Sequence, residues 1–395
     1  MLMNNGATAP RVVIIAGEHS GDILGGQLMA ALRLRHPGDI EFSGVGGEAM
    51  EAQGLQSMFP LSDVTVMGPL AILKRLPTLV RRVYQAVDGV IAARPDVVVI
   101  IDSPEFTHPI AKRIRKRMPD VPIIDYVSPS VWAWRPGRAK RMTRYIDHVL
   151  ALLPFEPAAH ERLGGPQCTY IGHSLAERID DIQAMDTNAL ATRLKLNPDH
   201  ATLAILPGSR PSEVSRLLNI FGDSLKLLNA KYADLNVIIP TVSTVRDMVE
   251  AGTSEWPIKP HIVEGDDEKF ASFKLSTLAL AASGTVTLEL AAAGTPMVVA
   301  YRVDPLAARL MWLVKVPSFV LANLILERNA VPEFMQDDCT AENLSEALHQ
   351  LLSDESVYKA QSDALKEVQD RLRLEHGTPS ERAAEVVLNY LPGTQ

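Results

Sequence analysis

Four segments of the 395-residue chain place small, acidic or basic residues directly after a run of branched apolar ones, where the tip of a buried strand would present them to a ligand. The first is GEHSGD, residues 17–22, after RVVIIA. Here Gly17 and Gly21 around Ser20 let the backbone turn closely into a helix N-terminus, a seat for an anion or a sugar hydroxyl, with Glu18 and Asp22 beside it. A plain strand-to-helix turn with a serine cap fits the same text. The segment has neither the Walker spacing nor GxGxxG, so neither ATP nor a dinucleotide is signalled and no cofactor is expected.

The second segment, Asp102 to Phe106 (DSPEF), follows VVVII. A carboxylate at the tip of a buried strand is partly desolvated, and this raises its basicity and suits Asp102 to taking the proton from an alcohol. The other reading of Asp102 is an N-cap for a helix starting near His108. The third and fourth segments are PGSRPSE (207–213) after TLAIL and SGTVTLE (283–289) after LALAA. Each sets small residues, Ser209 in one and Ser283, Gly284 and Thr285 in the other, at a helix start where free N–H groups and the helix dipole favour a phosphate. Arg210 adds a permanent cation with a planar fork of donors, able to grip a pyrophosphate without a metal. Glu289, one turn into its helix, is placed to accept from ribose hydroxyls. Taken singly, Arg210 also reads as half of a surface salt bridge and Glu289 as a helix surface charge. The paired loops together point to a nucleoside diphosphate.

Other positions carry less. Asp266, Asp267 and Glu268 read as a solvated helix start, and no metal site is expected. His173 opens a polar connector and is expected to face a cleft, although a lone histidine is more often a hydrogen-bonded structural residue. Trp132 and Trp134 precede Arg138, Lys140, Arg141 and Arg144, a mixture that can stack bases, but no nucleic-acid fold accompanies it and no nucleic-acid partner is expected. The apolar stretch 66–73, with Met67, Leu70, Ile72 and Leu73, runs into Lys74, Arg75, Arg81 and Arg82. That order suits an amphipathic helix lying on an anionic bilayer, and equally a core-facing helix with a solvated basic face.

Short Val/Ile-rich runs alternate with longer amphipathic stretches, as βα units of a parallel sheet do. In the first half strands are expected at 11–16, 40–45, 96–101, 121–127 and 148–153, and in the second at 202–206, 235–240, 261–264, 275–281 and 296–300. Between them residues 172–187 read as a polar linker, and after residue 341 only helical patterns remain. The expected architecture is α/β: two doubly wound, Rossmann-like domains facing across a cleft, followed by C-terminal helices. The expected boundaries are 1–175, 176–365 and 366–395, the last segment packing back on an N-terminal domain.

Composition agrees with a globular chain: 47% apolar and 22% charged. The net charge of −8 divides unevenly. Residues 1–150 carry 18 basic against 14 acidic side chains, residues 151–395 carry 21 against 33, and residues 74–144 alone carry 15 against 6. A local excess of that kind attracts phosphate or anionic lipid. Cys168 and Cys339 form no paired spacing, as fits a reducing cytoplasm. No apolar run exceeds five residues and the N-terminus lacks the pattern of a secretory signal, so membrane contact is expected to be peripheral.

Read together, GEHSGD, GVGG (44–47), VMGPLAILKRLP, IDSPEF, YVSPSVWAWRPGR, LPFE, YIGHS, LPGSR and ASGTVTLE stand in the order seen in lipid-A-disaccharide synthases, which the chain resembles over residues 11–335. The resemblance implies an inverting glycosyltransferase of the GT-B architecture. It implies UDP-2,3-diacylglucosamine as donor and 2,3-diacylglucosamine 1-phosphate as acceptor, giving a β-1,6-linked disaccharide 1-phosphate and UDP at the inner face of a Gram-negative inner membrane. By the same resemblance Asp102 matches the proposed base, Arg210 an essential cation, and Ser283, Thr285 and Glu289 the donor-nucleotide loop. Asn323 matches an asparagine near the nucleotide, although Ala322 stands where the family usually has proline. An epimerase or a lipid-linked N-acetylglucosaminyl transferase would share the fold, and a two-lobed sugar-binding protein would share the hinge. Homo-oligomer formation is left open.

Overall fold

The structure is a computed structural model describing residues 9–65, 69–232, 234–304 and 316–392, with residues 69–74 described in their backbone only. The chain divides into two compact units, Met1–His173 with Leu374–Gln395, and Ser174–Arg373.

The first unit is built on a parallel sheet of β1 (Arg11–Ala16), β2 (Glu41–Val45), β3 (Val97–Ile101), β4 (Ile123–Tyr126), β5 (His148–Ala151) and β6 (Gln167–Tyr170), in the order β2-β1-β3-β4-β5-β6. Helices cover both faces, so β1 and β3 read as unbroken apolar runs: Val12 to Ala16 and Val97 to Ile101 are inaccessible to solvent. Register is fixed by pairs such as Ile15 with Ile100 and Ile14 with Gly44. The helix Pro379–Leu388 also belongs here and contributes Ala383, Ala384 and Val387 to the core. Arg35 on the helix His19–Arg35 pairs with Glu385, and Tyr390 hydroxyl lies 3.1 Å from His148 Nδ1.

The second unit repeats the plan with β7 (Ala201–Leu206), β8 (Leu235–Thr241), β9 (His261–Glu264), β10 (Leu278–Ala282), β11 (Met297–Tyr301) and β12 (Glu333–Met335), ordered β12-β11-β10-β7-β8-β9 and parallel throughout. Both sheets are doubly wound. The helix Glu355–Leu372 lies wholly in this unit, burying Gln361, Ala364, Leu365, Val368 and Leu372, so the chain passes back to the first unit at Leu374 and not at residue 366.

The expected strands are present: β1 and β9 match residue for residue, and the others have ends shifted by at most three residues. Two strands went unread: β6 and β12, of four and three residues, both at sheet edges. Neither is fully buried, so neither has the continuous apolar text that marks a central parallel strand. Within the segment read as a linker, Ser174–Arg178 and Ile179–Ala184 are short helices that bury Leu175, Ile179 and Ile182.

Candidate active site

In an open parallel sheet the crossover connections part company at the switch point, and the crevice beyond the carboxyl ends of the two central strands is free to hold a ligand. In the first unit that point lies between β1 and β3, so the loops after them, residues 17–22 and 102–106, come together. Their approach is close. A Cβ at Gly17 would lie 2.3 Å from the Cβ of Ser103, so only glycine fits.

Asp102 and Ser103 both adopt left-handed backbone, with φ of 53° and 44°. Each such non-glycine residue costs on the order of 1–3 kcal/mol and is held only by its surroundings. Here Asp102 N–H donates to Tyr126 O at 3.0 Å, and Thr107 hydroxyl donates to Asp102 O at 2.7 Å. The Asp102 carboxylate accepts from Ser103 N–H at 2.7 Å and from the Ser20 hydroxyl. Burial raises its pKa above the ordinary carboxylate value, and the charges of Glu18 and Asp125 add to the rise against those two hydrogen bonds. The helix starts at Pro104, earlier than expected, and Ser103 occupies the N-cap position. Asp102 therefore does not cap it. Glu18, Asp102 and Ser103 border a cavity of about 670 Å³ whose remaining wall is mostly apolar, with Val64, Leu76, Leu79, Val80, Val83 and Phe106.

Two buried polar groups that sequence reasoning missed support this edge of the sheet. His108 Nε2 lies 3.0 Å from Asp125 Oδ2, and His108 Nδ1 lies 3.1 Å from the Tyr145 hydroxyl. Farther along, Glu156 accepts from Leu153 N–H at 2.9 Å and Trp132 Nε1–H at 3.2 Å, tying the SPSVW loop to the LPFE turn. Burial pushes Glu156 up to about 7. Beside it Ser128 Oγ lies 2.9 Å from His160 Nε2. Trp132 is thus a structural anchor, while the exposed Trp134 carries the Arg135 guanidinium 4.1 Å from its ring centre. The signal for Glu156 was in the text, since LPFE also follows a strand tip.

The second switch point lies between β7 and β10, and its cavity of about 350 Å³ gathers Ser209, Arg210, Ser283, Gly284, Thr285 and Glu289. Gly208, with φ of 120°, makes the turn possible; a Cβ there would lie 2.6 Å from the Cβ of Glu213. Arg210 Nη1 donates to Glu213 Oε1 at 2.8 Å with 69% of its side chain exposed, an ion pair worth under about 1 kcal/mol and so readily exchanged for an anionic ligand. Ser283 hydroxyl donates to Phe319 O at 2.7 Å, and exposed Thr285 precedes the helix Val286–Ala293 without capping it. Lys269, which the sequence reading did not single out, lines the same cavity and reaches Glu289 Oε1 at 3.0 Å and Asp266 Oδ1 at 2.8 Å.

Some expected site residues have other work. Asp22 is fully buried, and its carboxylate accepts from Gly47, Ala49 and Met50 N–H at 2.7, 2.9 and 3.1 Å, so it holds the GVGG turn and presents no oxygen to a substrate. Asn323 is 1% exposed. Its amide donates to Val331 O and Ser318 Oγ and accepts from Ala330 and Val331 N–H. Every bond it can make is internal. Arg82 is drawn inward, donating to Asp63 and stacking 4.9 Å from the Phe59 ring centre. Arg75 and Arg81 are exposed. Met67 lies outside the described residues, as do the side chains of Leu70, Ile72, Leu73 and Lys74, whose backbone is part of the helix Pro69–Ala93. That helix exposes Leu76, Val80 and Tyr84, spaced by four on one stripe. His173 is largely buried, and burial lowers its pKa. Among the described residues no helix is long and apolar enough to cross a membrane.

Comparison with known proteins gives a consistent relationship. The family model for lipid-A-disaccharide synthetase matches residues 12–387. The lipid-A-disaccharide synthases of Rhodopseudomonas palustris (strain HaA2) and Nitrobacter hamburgensis are 46% and 45% identical to this chain over 385 residues, in each case 96% of both proteins. Among solved structures, a UDP-GlcNAc 2-epimerase from Neisseria meningitidis bound to UDP-GlcNAc superposes with a TM-score of 0.62 at 13% identity, covering 96% of this chain and 98% of that one. A glycosyltransferase from Rickettsia africae gives 0.59 at 11%, covering 97% and 98%. Those two establish the GT-B fold alone.

Proposed function

The chain belongs to the lipid-A-disaccharide synthase family, hexosyltransferases of lipopolysaccharide synthesis, and from that premise we propose how its two switch points divide the reaction. The second unit binds UDP-2,3-diacylglucosamine, with the pyrophosphate against Arg210, Ser209 and the N–H groups of Gly284 and Thr285, and the ribose against Glu289. The first unit binds 2,3-diacylglucosamine 1-phosphate with its 6-hydroxyl at Asp102. Attack of that hydroxyl on the anomeric carbon breaks the bond to UDP and inverts the centre. The proton passes to Asp102, and the charge left on UDP is met by Arg210 and the helix N-terminus. The observation that carries this reading is the Asp102 carboxylate, held in a strained turn and made more basic by burial at the switch point.

The membrane is assigned to the first unit. The exposed Leu76, Val80 and Tyr84 stripe with Arg75 and Arg81 suits a peripheral helix on anionic lipid at the cytoplasmic face of the inner membrane. Thin-layer analysis of the purified chain with both diacylated substrates tests the reaction. The expected result is the disaccharide 1-phosphate and UDP in equal amounts. Conversion of the donor to its 2-epimer, or no product, would overturn it.

A further inference from the structure

The helix Pro104–Arg117 leaves the Asp102 turn with two faces in use. Phe106, Pro109 and Arg113 line the apolar cavity. The next face carries Glu105, His108 and Lys112, and opposite it stands the short helix Gly137–Met142 with Arg138 and Arg141 one turn apart. Arg138 Nη1 lies 3.3 Å from Glu105 Oε1, and only 17% of the Arg138 side chain is exposed against 81% of Glu105. Lys112 Nζ sits 4.9 Å from the Tyr145 ring centre. Burial lowers the Lys112 pKa, and the charges of Arg138, Arg141 and Arg113 lower it further, with Glu105 acting the other way.

Arg138 alone holds this exposed carboxylate, loosely, while Arg141 one turn on and Lys112 on the facing helix stand near enough for their charges to act on one another. Three like charges facing a single carboxylate repel one another, and a dianion with several acceptor oxygens relieves that repulsion. We propose that Lys112, Arg138 and Arg141 bind the phosphomonoester of the acceptor, displacing Glu105 from Arg138. The assignment rests on the acceptor reading given above. Glu105 and Asp102 border the same cavity, so an anion that takes the place of Glu105 at Arg138 stands on the Asp102 side of the helix. The 6-hydroxyl and 1-phosphate of a glucosamine 1-phosphate flank its ring oxygen, so holding the phosphate aims the hydroxyl.

The test measures transfer by the full chain in neutral detergent micelles to 2,3-diacylglucosamine 1-phosphate and to the same lipid without its phosphate. Arg138→Gln and Arg141→Gln should each lower kcat/KM for the phosphorylated acceptor about 10- to 100-fold, mainly through KM, since each loses a charge-assisted contact. Transfer to the dephosphorylated acceptor and the donor KM should stay within about twofold of the unaltered chain. Glu105→Gln, which removes the competing anion, should preserve or increase the preference for phosphate. Arg141 is exposed, so its variant decides the matter if Arg138→Gln folds poorly. Equal losses on both acceptors would overturn the site. So would an unchanged preference with weakened sedimentation on phosphatidylglycerol vesicles, which would give the cluster to lipid headgroups instead. Absence of transfer by the unaltered chain would overturn the acceptor reading itself, and the phosphate site with it.

Discussion

The two switch points obey one topological rule and are made from opposite materials. Between β1 and β3 the turn is strained through the non-glycine residues Asp102 and Ser103, the carboxylate is partly buried, and most of the adjoining cavity is apolar. Between β7 and β10 the turn runs through Gly208, the cations Arg210 and Lys269 line the cavity, and the Arg210 ion pair is exposed. Topology sets where each ligand goes; desolvation decides what the loops do there. A buried carboxylate gains basicity, while an exposed ion pair gains almost nothing in water and opens to a better anion.

The contrast can be broken at several points. The largest effect is expected from Asp22→Ala in the first unit. It strands three backbone N–H groups and should lower stability by about 3 kcal/mol or more in urea unfolding. A loss below about 1 kcal/mol would mean that the carboxylate does not hold the GVGG turn.

Glu156 comes next. Its folded pKa of about 7 stands above the ordinary 4.5, so the native chain keeps a proton that the unfolded chain releases. Its contribution to stability should fall as pH rises from about 4.5 to 7 and then level off, by up to about 3 kcal/mol in all. Glu156→Gln should remove that fall; parallel stability curves for the two proteins between pH 5 and 8 would contradict it.

In the second unit Lys269→Ala removes a cation from the cavity proposed for the nucleotide and leaves Glu289 unpaired by it, so calorimetry should show UDP binding weakened about tenfold. Unaltered affinity would return Lys269 to a helix-surface role. The smallest effect belongs to Glu18→Gln, which removes a charge that raises the Asp102 pKa. The acid limb of kcat/KM should move slightly to lower pH, and an upward move would contradict the assignment of that limb to Asp102.

Much of this was legible because central parallel strands write themselves as unbroken apolar runs. RVVIIA, VVVII, TLAIL and LALAA located β1, β3, β7 and β10, and with them the four loops. The edge strands QCTY and EFM carry no such text, because solvent takes part of their surface. Asp22 and Asn323 were read as ligand contacts because a polar residue in a motif looks the same whether its oxygens meet a substrate or a backbone N–H; only the fold separates the two. Lys269 is hidden for a different reason: nothing in its local sequence links it to its partner Glu289, 20 residues away.

The division of labour is tested most directly by measuring UDP affinity and turnover on Asp102→Ala and Arg210→Ala side by side. Asp102→Ala should bind UDP as the unaltered chain does while losing turnover by 100-fold or more, roughly the range of a general base. Arg210→Ala should lose affinity for UDP as well as rate. Asp102→Ala turning over at the unaltered rate, or weakening UDP as much as Arg210→Ala does, would contradict the account.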